Sequence, residues 1–277
     1  MPETVQTPQN HCRLAIASDD ITPPVGIYHR MWGAASHDVA EGVHRPLRGT
    51  VLVVEPADGS DRSLLIALDH CIMRAAELDP LIERAAAAGD LEKDSVSVVF
   101  SHTHAAGLLG MDRVDMPGGE LIPDYFQSLY QVMESTVRRA VDQLSPATMV
   151  YGFGHCDLAR QRDLWDEESN QYVCGFNPEQ PAETPLLAIK IQDPNGDWVG
   201  SIVNYGCHPT TLAWENRLIS PDFPGAMREV IEQQTGAPCL FVQGICGDLG
   251  PRDGFSGDPQ LADRNGQQLG HAALATL

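Results

Sequence analysis

The chain has 277 residues, enough to bury one substantial core, and its 43% apolar content is that of an ordinary folded domain. A formal net charge of −20 disfavours a nucleic-acid backbone or an anionic membrane surface as partner. No apolar run approaches the roughly 18 residues of a transmembrane helix, and Met1 to Gln6 hold neither a basic nor an apolar leader. A cytoplasmic protein is therefore expected, with its seven scattered cysteines reduced.

Residues 1–12 read as a polar, disordered tail. Arg13 to Ser18 predicts a short strand that must end before Pro23 and Pro24, because proline fixes φ and removes a donor. Gly49–Glu55 and Ser63–Leu68 flank the Asp58-Gly59 turn and predict a hairpin, with Asp69 and His70 at its end. Met73–Ala88 predicts a helix with Gly89 as its C-cap. Ser95–Phe100 is an apolar, β-branched run and predicts a buried strand. Tyr125, Leu129, Val132, Met133, Thr136 and Ala140 recur at helical spacing, so 123–144 should be an amphipathic helix, stopped by Pro146. A strand at Met149–Phe153 follows, then a polar stretch Arg160–Asp163 and a surface loop over 164–184.

Leu186–Ile191 and Trp198–Asn204 flank Asp193-Pro-Asn-Gly196, a hairpin signal. Ser220–Gly225 should start a helix, with Asp222 as its cap and Pro224 in its first turn. Cys239–Gln243 predicts another buried strand and 259–277 a last helix. No repeat or linker interrupts the series. The expected fold is a single α/β domain of mixed twisted β-sheets flanked by helices.

The most informative stretch is Ser101-His102-Thr103-His104, directly after the strand at 95–100. On extended backbone side chains repeat every second residue, so His102 and His104 should point the same way. Neutral imidazole is the commonest metal ligand, and two on one face are half of a zinc site. The small residues Ala105, Ala106 and Gly107 leave space beside the rings. Two other buried-looking strands end in polar turns, at Asn204/His208 and at Gln243/Asp248, and α/β folds place sites at such ends. His208 makes zinc a stronger reading, since the metal needs three or four ligands with one position open for catalysis. Asp248, Asp222 or Asp20 could supply a carboxylate ligand or a general base. Equally, Asp222 could serve only as a helix cap, and Asp20 and Asp248 only as turn residues.

Six spaced motifs carry a resemblance: Asp20-Ile-Thr-Pro-Pro-Val-Gly26, Gly42-Val-His-Arg-Pro-Leu47, Ser101-His-Thr-His104, Cys207-His-Pro-Thr210, Asp222-Phe-Pro-Gly225 and Gln243-Gly-Ile-Cys-Gly-Asp248. In this order they resemble the N-terminal catalytic domain of the neutral/alkaline non-lysosomal ceramidase family, from residue 13 to the end of the chain. The resemblance implies a zinc-dependent hydrolase of a carbon–nitrogen (amide) or related ester bond. It places His102 and His208 on the metal, and His104 beside it as ligand or as donor to the substrate oxygen. It also implies an arginine that holds the oxyanion; Arg162 is the best match and Arg160 the next. Asp248 or another local carboxylate would then take a proton from a metal-activated water. The substrate would be a small-molecule or lipid-like amide rather than membrane ceramide, because no amphipathic lipid-docking face is visible.

Two departures from the family pattern bear on mechanism. Gly250 stands where the ceramidases carry a serine, and glycine has no hydroxyl to act as nucleophile. The family's glutamate and tyrosine zinc ligands have no counterpart here and are expected beyond Leu277, as is its C-terminal immunoglobulin-like domain. These departures favour a second reading, a catalytically inactive binding or assembly module. A third reading, a metallo-β-lactamase-type hydrolase, calls for Asp-His where this chain has Ala105 and Ala106.

Overall fold

Strand β1 (Cys12–Asp20) is buried on both faces: Leu14 and Ile16 enter one core, Ala15 and Ala17 another. The same holds for the long strands around it, which is why they read as apolar runs rather than as alternating ones. The computed structural model describes residues 12–182 and 184–277. After β1 come β2 (Gly42–Val43), β3 (Arg48–Pro56), β4 (Ser63–Leu68), α1 (Ala75–Gly89), β5 (Val96–Phe100), α2 (Ile122–Asp142) and β6 (Ser145–Gly154). Then follow β7 (Ala159–Gln161), β8 (Asp163–Asp166), β9 (Gln171–Cys174), β10 (Leu186–Gln192), β11 (Trp198–Tyr205) and β12 (Leu218–Ile219). The chain closes with α3 (Phe223–Thr235), β13 (Cys239–Gln243), β14 (Leu249–Pro251) and α4 (Pro259–Thr276).

The main sheet has the strand order β13-β11-β10-β6-β1-β3-β4-β5. β1 and β6 pair only between Cys12–Leu14 and Ser145–Ala147. At that short junction the sheet divides into two halves that pack face to face. Leu14, Ile16, Leu52 and Ala67 from one half share a core with Ile191, Ile202 and Leu240 from the other. The approach is close enough that a Cβ on Gly200 would lie 2.4 Å from the Cγ2 of Ile16. Helices α1 and α2 cover the outer face of the first half, and α3 and α4 that of the second. The result is a four-layer α/β/β/α sandwich, the mixed α/β architecture expected.

Each half contains one parallel pair, β4–β5 joined through α1 and β11–β13 joined through α3. Parallel neighbours need such a crossover, and its geometry directs their C-terminal ends to one edge. β5 and β11 are far apart in the strand order, yet folding the sheet on itself brings their ends together. Both predicted hairpins form, β3–β4 and β10–β11. The helix at 123–144 is α2, with Tyr125, Leu129, Met133, Thr136 and Ala140 all buried.

Four expectations change. The left-handed residue that closes α1 is Asp90 (φ 54°), while Gly89 is the last helical residue. The stretch at 164–184 is not simply loop, because β8 and β9 pair antiparallel within it. β5 stops at Phe100, and His102 adopts φ 65°, so the two histidines sit on a kinked loop rather than on extended backbone. Cys12 opens β1, and the rest of the predicted tail lies outside the described residues. All seven cysteines are free thiols. Among the described residues no helix is long and apolar enough to cross a membrane.

Two histidines are built into this framework as neutral groups. His29 donates from Nε2 to the Ala105 carbonyl (3.0 Å), and His70 Nε2 lies 2.6 Å from the Tyr125 hydroxyl. Burial pushes both down to about 4. Between pH 6.5 and 4 the unfolded chain therefore binds protons that the folded one refuses, so stability falls as pH drops through this window. Each histidine contributes a slope of about 1.4 kcal/mol per pH unit. Urea unfolding at pH 7, 6 and 5 measures it, and His70→Gln should flatten the slope by one proton.

Candidate metal centre

Three imidazoles meet between the two sheet halves, in the loops that follow β5 and β11. The ring centroids of His102 and His208 are 4.7 Å apart, those of His102 and His104 5.2 Å, and those of His104 and His208 5.2 Å. His102 follows β5, and its backbone N–H donates to the His70 carbonyl at the end of β4 (2.9 Å). His208 follows β11, and its N–H donates to the Leu249 carbonyl (3.1 Å). The left-handed turn at His102, not strand alternation, aims His102 and His104 together.

The hydrogen bonds decide which nitrogen each ring presents. His102 Nδ1 donates to the Cys71 carbonyl (2.9 Å), and His208 Nδ1 to the Cys246 carbonyl (2.8 Å). Each Nε2 therefore keeps its lone pair, as backbone carbonyls commonly arrange for metal-binding histidines. His104 Nε2 is buried without any partner. Burial, then the neighbouring His208 and His102, then Arg162, hold His104 down to about 3. Burial is also the main cause for His208, at about 4, with Arg162 and His102 adding to it against the Cys246 carbonyl. Both rings are neutral at pH 7, the form that binds metal. These residues fit a divalent ion such as zinc. Cys71 adds a thiol 3.5 Å from His102 Nδ1, and Cys71, His102 and His104 each offer a ligand atom within 4.8 Å of the others. Burial pushes that thiol up to about 12.

The arginines separate clearly. Arg160 is bound to Asp157 by two hydrogen bonds (2.6 and 3.1 Å). Arg162 donates Nε and Nη2 to the Gly247 carbonyl (3.0 and 2.7 Å). The carboxylates differ as well. Asp248 accepts from Gln161 Nε2 at 2.8 Å, and its own carbonyl takes the Arg162 N–H. Asp222 is wholly buried and accepts from the N–H groups of Leu212 and Phe223, as the cap of α3; burial pushes it up to about 6. Asp20 closes an exposed turn by accepting from Thr22 N–H. Asn204 and Gln243 brace the loop ends through the Val242 and Cys207 carbonyls. Asp69 and His70 belong to the framework, Asp69 through Arg228 and His70 through Tyr125.

A cavity of about 480 Å³ opens beside the histidines, with Trp32, Trp214, Phe255, Arg162 and Gly250 among its walls. The Trp32 ring centroid is 5.0 Å from that of His104, which joins cavity and cluster. These aromatic residues lie in irregular loops and follow no periodic pattern. The only local hint in the sequence is an aromatic ring next to glycine, in Trp32-Gly33 and Gly254-Phe255.

The family model described as neutral/alkaline non-lysosomal ceramidase, N-terminal, matches residues 13–247. The neutral ceramidase of Pseudomonas aeruginosa is 24% identical over 249 residues, covering 86% of this chain and 37% of that protein. Neutral ceramidase 1 of Arabidopsis thaliana is 26% identical over 265 residues, covering 86% of this chain and 32% of its own length. The crystal structure of neutral ceramidase from Pseudomonas aeruginosa has the same fold, with a TM-score of 0.77 over 97% of this chain and 45% of that one, at 20% identity. The chain spans about a third of the length of the curated relatives it matches. With a family match that runs from β1 to the turn after β13, the chain belongs to the neutral/alkaline non-lysosomal ceramidase family.

Proposed function

We propose that this chain is a metal-dependent hydrolase of amide or related ester bonds, with zinc held by His102, His104 and His208. The observation that carries this reading is the meeting of three imidazoles, two with Nδ1 spent on backbone carbonyls and the third with a buried, unpartnered Nε2. Zinc supplies Lewis acidity, which polarises a carbonyl and acidifies water. Arg162 is fixed by its two bonds to the Gly247 carbonyl, which leaves Nη1 to donate to the substrate's carbonyl oxygen as negative charge builds there. In this reading Asp248, whose carboxylate accepts from Gln161, takes the proton from water. Gly250 offers no hydroxyl, so water is the nucleophile. Ala105 and Ala106 are buried and carry no metal-ligating atom at the place where a metallo-β-lactamase-type hydrolase calls for Asp-His. The substrate is a small-molecule or lipid-like amide.

Amine release from a panel of N-acyl amides, measured on the zinc-loaded chain, tests the proposal. Arg162→Gln should lower kcat by about 10²- to 10³-fold with little change in KM, because the lost interaction is made mainly in the transition state. No release of acid or amine by the loaded wild type would sink the hydrolase reading and leave a binding module.

A further inference from the structure

The cavity beside the histidines has aromatic walls, a positive lining and a compact volume. Its aromatic walls form a box: Trp32 stands edge-on to both Trp214 and Phe255, with centroids 6.0 Å apart in each case. Its charge is positive in a chain of net −20: Arg160, Arg162 and Arg252 line it, and among the described residues no carboxylate does. Arg160 and Arg252 are both paired with Asp157, whereas Arg162 has no carboxylate within 4 Å among the described residues. Its size, about 480 Å³, suits one compact molecule. Trp32 Nε1 is also buried without a partner, a spare donor on the wall.

Gly250 contributes to this space. A Cβ there would have Arg162 Cδ at 3.7 Å and Phe255 Cε2 at 3.9 Å as its nearest neighbours, which is ordinary contact. The backbone at 250 therefore tolerates a side chain, and glycine leaves the volume to a ligand.

The two halves of an amide differ in what such a pocket accepts. Hydrolysis breaks the C–N bond, adds the water oxygen to the acyl carbon and sends a proton to the departing nitrogen. At neutral pH the acyl half leaves as a carboxylate and the amine half as an ammonium ion. The arginine-bearing wall attracts the first and repels the second. Flat rings set edge-on are complementary to another flat ring. Resting on the hydrolase reading above, we propose that this cavity is the acyl pocket and takes a compact aromatic acyl group, whose carboxylate product pairs with Arg162.

Equilibrium binding of phenylacetate, followed by calorimetry or tryptophan fluorescence, tests the pocket without any turnover. Phenylacetate should bind at least tenfold more tightly than neutral 2-phenylethanol, which has no bond to hydrolyse, and Arg162→Gln should remove that preference. Trp214→Ala should weaken phenylacetate binding about fivefold; Trp214 is 37% exposed, so its removal leaves the core intact. Gly250→Val, which narrows the cavity beside Arg162 and Phe255, should weaken binding at least tenfold even if the tryptophan variant fails to fold. Tighter binding of dodecanoate than of phenylacetate, or unchanged phenylacetate binding in both Trp214→Ala and Gly250→Val, would overturn the proposal. The two readings fail differently: selective phenylacetate binding without hydrolysis of any amide removes the hydrolase, while hydrolysis of long-chain amides without aromatic preference removes the pocket.

Discussion

Arg228→Leu should cost about 3–5 kcal/mol of stability, a large part of the 5–15 kcal/mol typical of a folded domain. Arg228 lies in α3, and its guanidinium is buried against the equally buried carboxylate of Asp69, at the end of β4. Nη1 donates to Oδ1 at 3.0 Å and Nη2 donates to Oδ2. Oδ2 also takes the N–H of Arg48 at 2.8 Å. The pair thus ties a helix of one sandwich half to a strand of the other. Removing the cation strands a carboxylate in a place water does not reach, and that stranded charge, rather than the lost bond, sets the size of the effect. Asp69→Asn combined with Arg228→Leu should therefore be more stable than Arg228→Leu alone. Urea midpoints of the three proteins decide the matter, and a loss below about 1 kcal/mol in Arg228→Leu would contradict it. The pair also serves the site: the carbonyls that hold His102 belong to His70 and Cys71, the two residues after Asp69.

The second large effect concerns metal. Dialysed wild-type chain should retain about one zinc, and His102→Ala and His208→Ala should each lower the affinity by at least about 100-fold. Among the described residues each ring is one of three imidazoles in the cluster, and no fourth stands beside them to replace it. Elemental analysis of the three proteins gives the first readout. A second is thermal: chelation should lower the melting temperature of the wild type and leave both variants unmoved, because metal that binds only the folded state stabilises it by mass action. A wild type that dialyses free of metal would remove the centre from the account.

The three imidazoles that form the cluster were legible along the chain. His102, His104 and His208 each follow an apolar run, and an apolar run that ends in a polar turn is a strand delivering side chains to a sheet edge. The helices were equally readable, since the periodic stripe of Tyr125, Leu129, Met133 and Ala140 leaves no other structure that buries it. Gly250, the departure from the family serine, is visible from sequence alone.

Three-dimensional packing decided the rest. His102 and His104 converge through a left-handed turn at His102, and no local rule predicts positive φ for a histidine after a strand. The meeting of β5 and β11 depends on the short β1–β6 junction, where the sheet divides and closes on itself. Asp69 stands at a strand end in the sequence, and only the fold shows that Arg228, 159 positions away, occupies it. Arg160 and Arg162 are equivalent as letters and differ only because Asp157 takes one of them. Trp32, Trp214 and Phe255 share no period, because loops carry no repeat, so their box exists only in the folded chain. The sequence by itself determined which side chains could do chemistry and which strands would be buried, since both follow from residue type and local spacing. Only the tertiary structure decided which of those side chains meet, because that depends on contacts between segments more than a hundred residues apart.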